Sequence, residues 1–219
     1  MQNLRIALTK GRLEHKSVEL FERAGYDCEN LKNPGRRLLL DTPSSDAEAA
    51  PLAAVLAKAP DVITYVERGV CDLGVVGKDT IMEYGTSFYE VLDLGFGRCR
   101  FALASLPETD FDRPSYKPRV IGTKYPHVTR QYFARRGEEV DIVRIEGSVE
   151  LAPILGLADG IVDIVETGTT LRENGLVIKK EVAPVSARLI VNLAGMKMKK
   201  REILDFIGRI QRVLDGKTE

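Results

Sequence analysis

A chain of 219 residues, 44% of them hydrophobic, can bury one large or two small cores unaided by metals or disulfides, and 29% charged residues suit a solvated surface. The 32 basic and 32 acidic residues cancel, which excludes a global field for nucleic acid or an anionic membrane, so any polyanion must be held by local groups. Three widely spaced cysteines (Cys28, Cys71, Cys99) and two histidines (His15, His127) form no disulfide framework and no zinc pattern, which points to a reduced protein without zinc.

The first predicted element is LRIAL (4–8), a short apolar strand ended by Thr-Lys-Gly. It is too short for a secretory core and no later window approaches a membrane span, so a cytoplasmic location is expected. RLEHKSVELFERAG then places Leu13, Val18, Leu20, Phe21 and Ala24 at mostly helical spacing before Gly25. RRLLLD is a predicted strand, PDVITYVERG a helix closed by Gly69, CDLGVVG a buried strand and KDTIMEYG a short helix. AAPLAAVLAK (49–58) stays open: its alanines favour a helix, and its position between two units favours a strand.

From Val91 the rhythm changes to a long glycine-kinked β stretch, VLDLGFGRCRFALASL. RVIGTKYP, TRQYFARRG, VDIVRIEG, VELAPILGLADG and IVDIVE then alternate strand and helix, so two α/β units joined by extended segments are expected. The final KKREILDFIGRIQRVLDG carries Ile203, Leu204, Phe206, Ile207, Ile210, Val213 and Leu214 along one helical face, expected to pack on its own sheet.

Chemistry concentrates in DGIVDIVETGTTLRENG (159–175). A buried strand delivers the chain to Thr167, Gly168, Thr169 and Thr170, where Gly168 permits a tight turn with bare N–H groups and the threonines add hydroxyl donors. This can cradle a phosphate, while the alternative is a threonine capping a helix beside solvated acids. Without the lysine of a nucleoside-triphosphate loop, a monoester phosphate suits it better. Asp163 and Glu166 just before it can accept from sugar hydroxyls or, through water, hold a magnesium ion.

Lys10, Gly11 and Arg12 follow the first strand, where an α/β sheet opens its ligand crevice; the alternative is a solvated turn. Gly77, Lys78 and Asp79 end another strand, where Lys78 could reach a phosphate or Asp79 could cap a helix. Neither His15, on a polar helical face, nor His127, at a helix start, reads as a catalytic base, and no Ser/His/Asp or Cys/His set is visible.

Counting along the chain gives Glu150, five residues, Gly156, one, Ala158, two, Ile161, one, Asp163, Ile164, two, Thr167, Gly168, one, Thr170, Leu171. That spacing resembles the signature of the ATP phosphoribosyltransferases, and LRIALTKGRL, DVITYVERGVCDLGVVGKD and LDLGFGRCRFALA resemble further segments of that family. The resemblance implies an enzyme that joins N1 of ATP to C1 of phosphoribosyl pyrophosphate, releases pyrophosphate with the help of magnesium, and opens histidine biosynthesis. It implies two α/β domains resembling type II periplasmic binding proteins, with a ligand cleft between them. Residues 1–94 plus 182–219 would form the ATP side and 95–181 the phosphoribosyl pyrophosphate side.

By that resemblance Asp163, Glu166, Thr167, Gly168, Thr169 and Thr170 hold the phosphoribosyl pyrophosphate, and Lys10, Gly11 and Arg12 help hold ATP. Arg37 and Lys58 are the candidates to neutralise departing pyrophosphate, with a solvated surface position the alternative for both. Many members have arginine where Lys58 stands, and lysine offers a point charge in place of a bidentate fork. The chain stops soon after Leu214, the pattern of the short form, which lacks a C-terminal regulatory domain. The short form works with a regulatory subunit resembling histidyl-tRNA synthetase, as a hetero-octamer, and the isolated chain would be a homodimer. Two alternatives remain at this point: a two-domain solute-binding protein of similar architecture, and a phosphoribosyltransferase acting on another base.

Overall fold

The computed structural model describes residues 3–44, 46, 49–113 and 116–216. The chain begins with β1 (Leu4–Thr9), α1 (Arg12–Arg23), α2 (Glu29–Lys32), β2 (Leu39–Thr42), β3 (Leu52–Ala57) and α3 (Ala59–Glu67), then β4 (Leu73–Gly77), α4 (Lys78–Tyr84) and β5 (Tyr89–Asp93). A second series follows: β6 (Cys99–Ser105), β7 (Arg119–Thr123), α5 (Pro126–Arg135), β8 (Val140–Arg144), α6 (Leu151–Ile154), β9 (Gly160–Val165), α7 (Thr169–Glu173) and β10 (Val177–Val185). The chain closes with β11 (Ala187–Val191), α8 (Leu193–Met198) and α9 (Lys200–Leu214).

These elements form two compact units, Met1–Gly97 with Ser186–Glu219, and Arg98–Val185. The first holds a six-stranded sheet in the order β2-β3-β1-β4-β11-β5, the second a five-stranded sheet in the order β10-β6-β9-β7-β8. Both are mixed α/β. In the first, β3, β1 and β4 run parallel, β2 lies antiparallel to β3 on one side, and on the other β11 lies antiparallel to both β4 and β5, so that β5 runs in the direction of the central strands. In the second, β8, β7 and β9 run parallel, and β6 lies antiparallel between β9 and β10, so that β10 runs in the direction of β9.

The undecided segment 49–58 is a strand over Leu52–Ala57. Its alanines would suit an isolated helix, but the segment hydrogen-bonds on both edges, to β1 and β2, and that pairing overrides propensity. The predicted helix across VELAPILGLADG shrinks to four residues, with Pro153 inside it and Gly156 at φ 69° just beyond.

Helix spacing explains the core of the first unit. Val18, Leu20 and Phe21 of α1 and Ile203, Phe206, Ile210 and Val213 of α9 are buried in one cluster with Leu4, Ile6 and Leu8 of β1. Phe21 meets Phe206 edge-on with centroids 5.6 Å apart, and Tyr26 adds a second ring at 5.7 Å. On the other face α3 rides close to β4, so that a Cβ at Gly74 would lie 2.8 Å from Val66 Cγ2. A smaller cluster, including Ala102, Ile161, Val165, Leu171 and Leu176, forms the core of the second unit.

Candidate active site

In the first unit topology carries several cations to one edge of the sheet. β3, β1 and β4 are parallel neighbours, so Lys58, Lys10 and Lys78, each the residue after a strand, emerge side by side. The Lys10 N–H donates to Ala57 O at 3.0 Å, tying two of these ends together. β2 runs against β3 with Leu39 opposite Val55, so Arg37, two residues earlier, arrives at that same edge. Lys10, Arg12, Arg37 and Lys58 are exposed, whereas Lys78 is half-buried and ion-paired with Glu90.

Gly11 has φ 93°, a region that side chains rarely adopt, and its N–H donates to Glu14 Oε2 at 3.1 Å. The carboxylate of Glu14 thus closes the turn from below and leaves Arg12 at the first position of α1. His15 is exposed, and His127 lies 2.7 Å from Gln131 Nε2 in the second unit. Neither is placed among the candidates.

In the second unit the corresponding edge lies at the ends of β7 and β9. Thr123 closes β7 and donates to Val162 O at 2.6 Å, as Thr9 closes β1 and donates to Val75 O at 2.9 Å. A lysine follows each threonine, Lys124 here and Lys10 there. The two sheets therefore present a similar strand–Thr–Lys edge.

β9 carries Ile161, Val162 and Val165 inward, then releases the chain at Glu166. Gly168, buried at φ 75°, turns it into α7, and Thr167, Thr169 and Thr170 stand exposed around the turn. Thr167 Oγ1 and Thr169 Oγ1 lie 3.1 Å apart, and the Thr169 N–H donates to Thr167 Oγ1 at 3.4 Å. With only five residues, α7 has little dipole to offer, so the donors are the loop's own N–H groups and hydroxyls.

Asp163 is half-buried in β9, two residues before the strand ends. Burial pushes its carboxyl from 3.8 up to about 6, Glu150 adds repulsion, and the bond from the Ile164 N–H at 2.8 Å together with Lys124 pulls the other way. Near neutrality it is ionised. Among the described residues no three His, Cys, Asp or Glu side chains gather to hold a metal ion.

Two side chains belong to this edge that the spacing alone did not single out. Lys124 acts electrostatically on Asp163, and Arg172 reaches back from α7 to Thr167 O at 3.2 Å and to Thr169 Oγ1 at 3.0 Å. The Thr-Lys pair after each unit's first parallel strand was the available signal for Lys124. For Arg172 it was the i,i+3 spacing from Thr169, which puts both on one face of a helix.

The second unit carries a hydroxyl-rich glycine loop and the first a row of exposed cations, both of them groups that can donate to phosphate oxygens. The comparisons agree. Residues 58–212 match the HisG family, described as ATP phosphoribosyltransferase. An ATP phosphoribosyltransferase of Clostridium kluyveri is 56% identical over 210 residues, spanning 96% of this chain and 93% of that one. One of Bacillus cereus is 54% identical over 218 residues, 99% of this chain and 100% of its own. The fold is similar to a chain of the ATP phosphoribosyl transferase (HisG:HisZ) complex from Thermotoga maritima, at TM-score 0.79 and 31% identity, covering 97% of this chain and 99% of that one.

The chain belongs to the ATP phosphoribosyltransferase family. It is a pentosyltransferase of histidine biosynthesis with domains of the periplasmic-binding-protein type, and the solute-binding alternative is set aside.

Proposed function

We propose a division of labour for the family's reaction, in which N1 of ATP displaces pyrophosphate from C1 of phosphoribosyl pyrophosphate. The second unit holds the sugar: Thr167, Gly168, Thr169 and Thr170 take its 5-phosphate, and Asp163 and Glu166 accept from its ribose hydroxyls. The first unit supplies Lys10, Gly11 and Arg12 for ATP and Arg37 and Lys58 for the pyrophosphate. The observation that carries this reading is the loop itself, a positive-φ glycine among three exposed threonine hydroxyls at the end of the strand that bears Asp163.

No residue needs to act as a covalent nucleophile. Pyrophosphate leaves readily once its charge is neutralised, and the developing oxocarbenium ion needs orientation, nearby negative charge and exclusion of water. Ionised Asp163 supplies that negative charge and holds the ribose. Arg37 and Lys58 balance the oxygens of the leaving group, Arg37 with a planar fork.

Magnesium fits this donor set. Such an ion is usually held by one or two carboxylates and by substrate phosphates, and Asp163 and Glu166 are the carboxylates at hand. When bound, it would neutralise the pyrophosphate alongside the two cations.

Three further parts of the reading concern the setting: a regulatory subunit resembling histidyl-tRNA synthetase, assembly as a hetero-octamer, and a cytoplasmic location. The similarity to a chain of the HisG:HisZ complex supports the first. Among the described residues no helix is long and apolar enough to cross a membrane.

The test combines the purified chain with ATP, phosphoribosyl pyrophosphate and magnesium, with and without the regulatory subunit, while pyrophosphate and the ultraviolet signature of N1-substituted adenine are followed. Product that requires both substrates is expected. Replacing Asp163 and Glu166 together should weaken phosphoribosyl pyrophosphate binding, and unchanged affinity would remove the sugar from this loop.

A further inference from the structure

We infer that Arg172 is a positioning residue that sets the direction of the donors in the phosphate loop, an inference that rests on the sugar phosphate binding there. Its guanidinium forks across two acceptors, Nη1 donating to Thr167 O at 3.2 Å and Nη2 to Thr169 Oγ1 at 3.0 Å. Each prong has its own consequence.

The first prong acts on the backbone. A peptide unit is planar and trans, so a carbonyl and the N–H of the next residue point to opposite sides. Drawing Thr167 C=O towards Arg172 therefore aims the Gly168 N–H away from it. Arg100 does the same one residue earlier, its Nη1 donating to Glu166 O at 3.3 Å, which aims the Thr167 N–H. Arg100 Nε also lies 2.8 Å from Glu181 Oε1, an ion pair with a largely exposed carboxylate. Two arginines thus hold successive carbonyls and orient successive amides.

The second prong acts on the hydroxyls. Arginine donates and never accepts, so Thr169 Oγ1 must be the acceptor in that bond and keeps its own proton to give onward. Thr167 Oγ1, 3.1 Å away, already accepts from the Thr169 N–H at 3.4 Å. When it also accepts the Thr169 proton, its own proton is left to point at the ligand. The cation at one end of this chain makes the threonines donors at the other, as a phosphate dianion requires. Lysine cannot substitute, because one ammonium does not span two acceptors as a planar fork does.

The test uses the full chain, alone for calorimetric titration with phosphoribosyl pyrophosphate and with the regulatory subunit for kinetics. It compares R172M, R172K and T167A with the wild type. R172M should raise both Kd and KM for phosphoribosyl pyrophosphate about tenfold, as the loop's donors lose their orientation, with KM for ATP and Tm close to wild type. R172K should stay near R172M. Full rescue by R172K would show that charge alone matters and overturn the fork. If R172M leaves phosphoribosyl pyrophosphate untouched while T167A weakens it, the loop binds phosphate but Arg172 does not position it. A general loss, with Tm falling and both substrates affected alike, would reduce Arg172 to a structural residue. If neither R172M nor T167A changes the binding, the phosphate lies elsewhere and both readings fail.

Discussion

Asp163 places folding and binding in opposition. Its folded pKa is raised from 3.8 to about 6, so its contribution to stability is present below about pH 4 and is lost as pH rises through 6, on the order of 3 kcal/mol. On the proposed role in holding the ribose, substrate binding runs the other way, because the carboxylate accepts from hydroxyls more strongly than the neutral acid does. The Asp163→Asn variant should melt higher than wild type at pH 8, with the difference shrinking towards pH 4. It should also bind phosphoribosyl pyrophosphate more weakly and lose the rise in affinity between pH 5 and 7. Thermal melts and titrations across that range check both halves. Arg37 makes a separate demand: if it stabilises departing pyrophosphate, Arg37→Ala should lower kcat by about 10²-fold while KM moves little, and steady-state kinetics will separate the two. The carboxylates and threonines were legible because they stand at fixed intervals in one short segment. Lys124 was not, since it becomes a neighbour of Asp163 only when β7 and β9 pair. Arg172 follows the motif, and its role depends on where its side chain folds.

At the scale of elements, strands and helices with a regular apolar period were legible, and those whose period is broken were not. β1, α1, α3, β4 and α9 show their pattern openly. β10 does not: Lys179, Lys180, Glu181 and Pro184 interrupt it, the strand lies at the sheet edge, and its ladder with β6 shifts register twice. β11 is a short apolar run that periodicity alone does not tell from a helix segment, and its partners β4 and β5 lie about a hundred residues upstream. Two elements invite direct tests. Phe206 in α9 is 1% exposed between Phe21 and Tyr26, so Phe206→Ala should destabilise by about 3–5 kcal/mol in denaturant titration. At the start of β9, a Cβ on Gly160 would lie 2.7 Å from Phe111 Cζ and 2.9 Å from Ala104 O. Gly160→Ala should therefore lose about 1–3 kcal/mol by overpacking, and would do so ahead of the phosphate loop.

For the molecule as a whole, the β6–β10 ladder governs how the second unit could stand alone. Cys99 and Val185 are register partners, so the two points where the chain enters and leaves that unit are adjacent. Residues 98–185 expressed by themselves should fold, which a cooperative thermal transition would show. The first unit has no such freedom. β11 lies between β4 and β5, so in a sheet built from the earlier strands β5 has no partner until Ala187–Val191 arrives, and α9, which covers Phe21, comes later still. On the ribosome this inverts the usual sequence of events, in which the amino-terminal part folds first. The inserted unit can complete itself while the residues translated before it still wait for strand and helix. During that interval β4, all five of whose residues are buried in the finished sheet, has one edge open, and a chain truncated between residues 185 and 200 would be the form most in need of a chaperone.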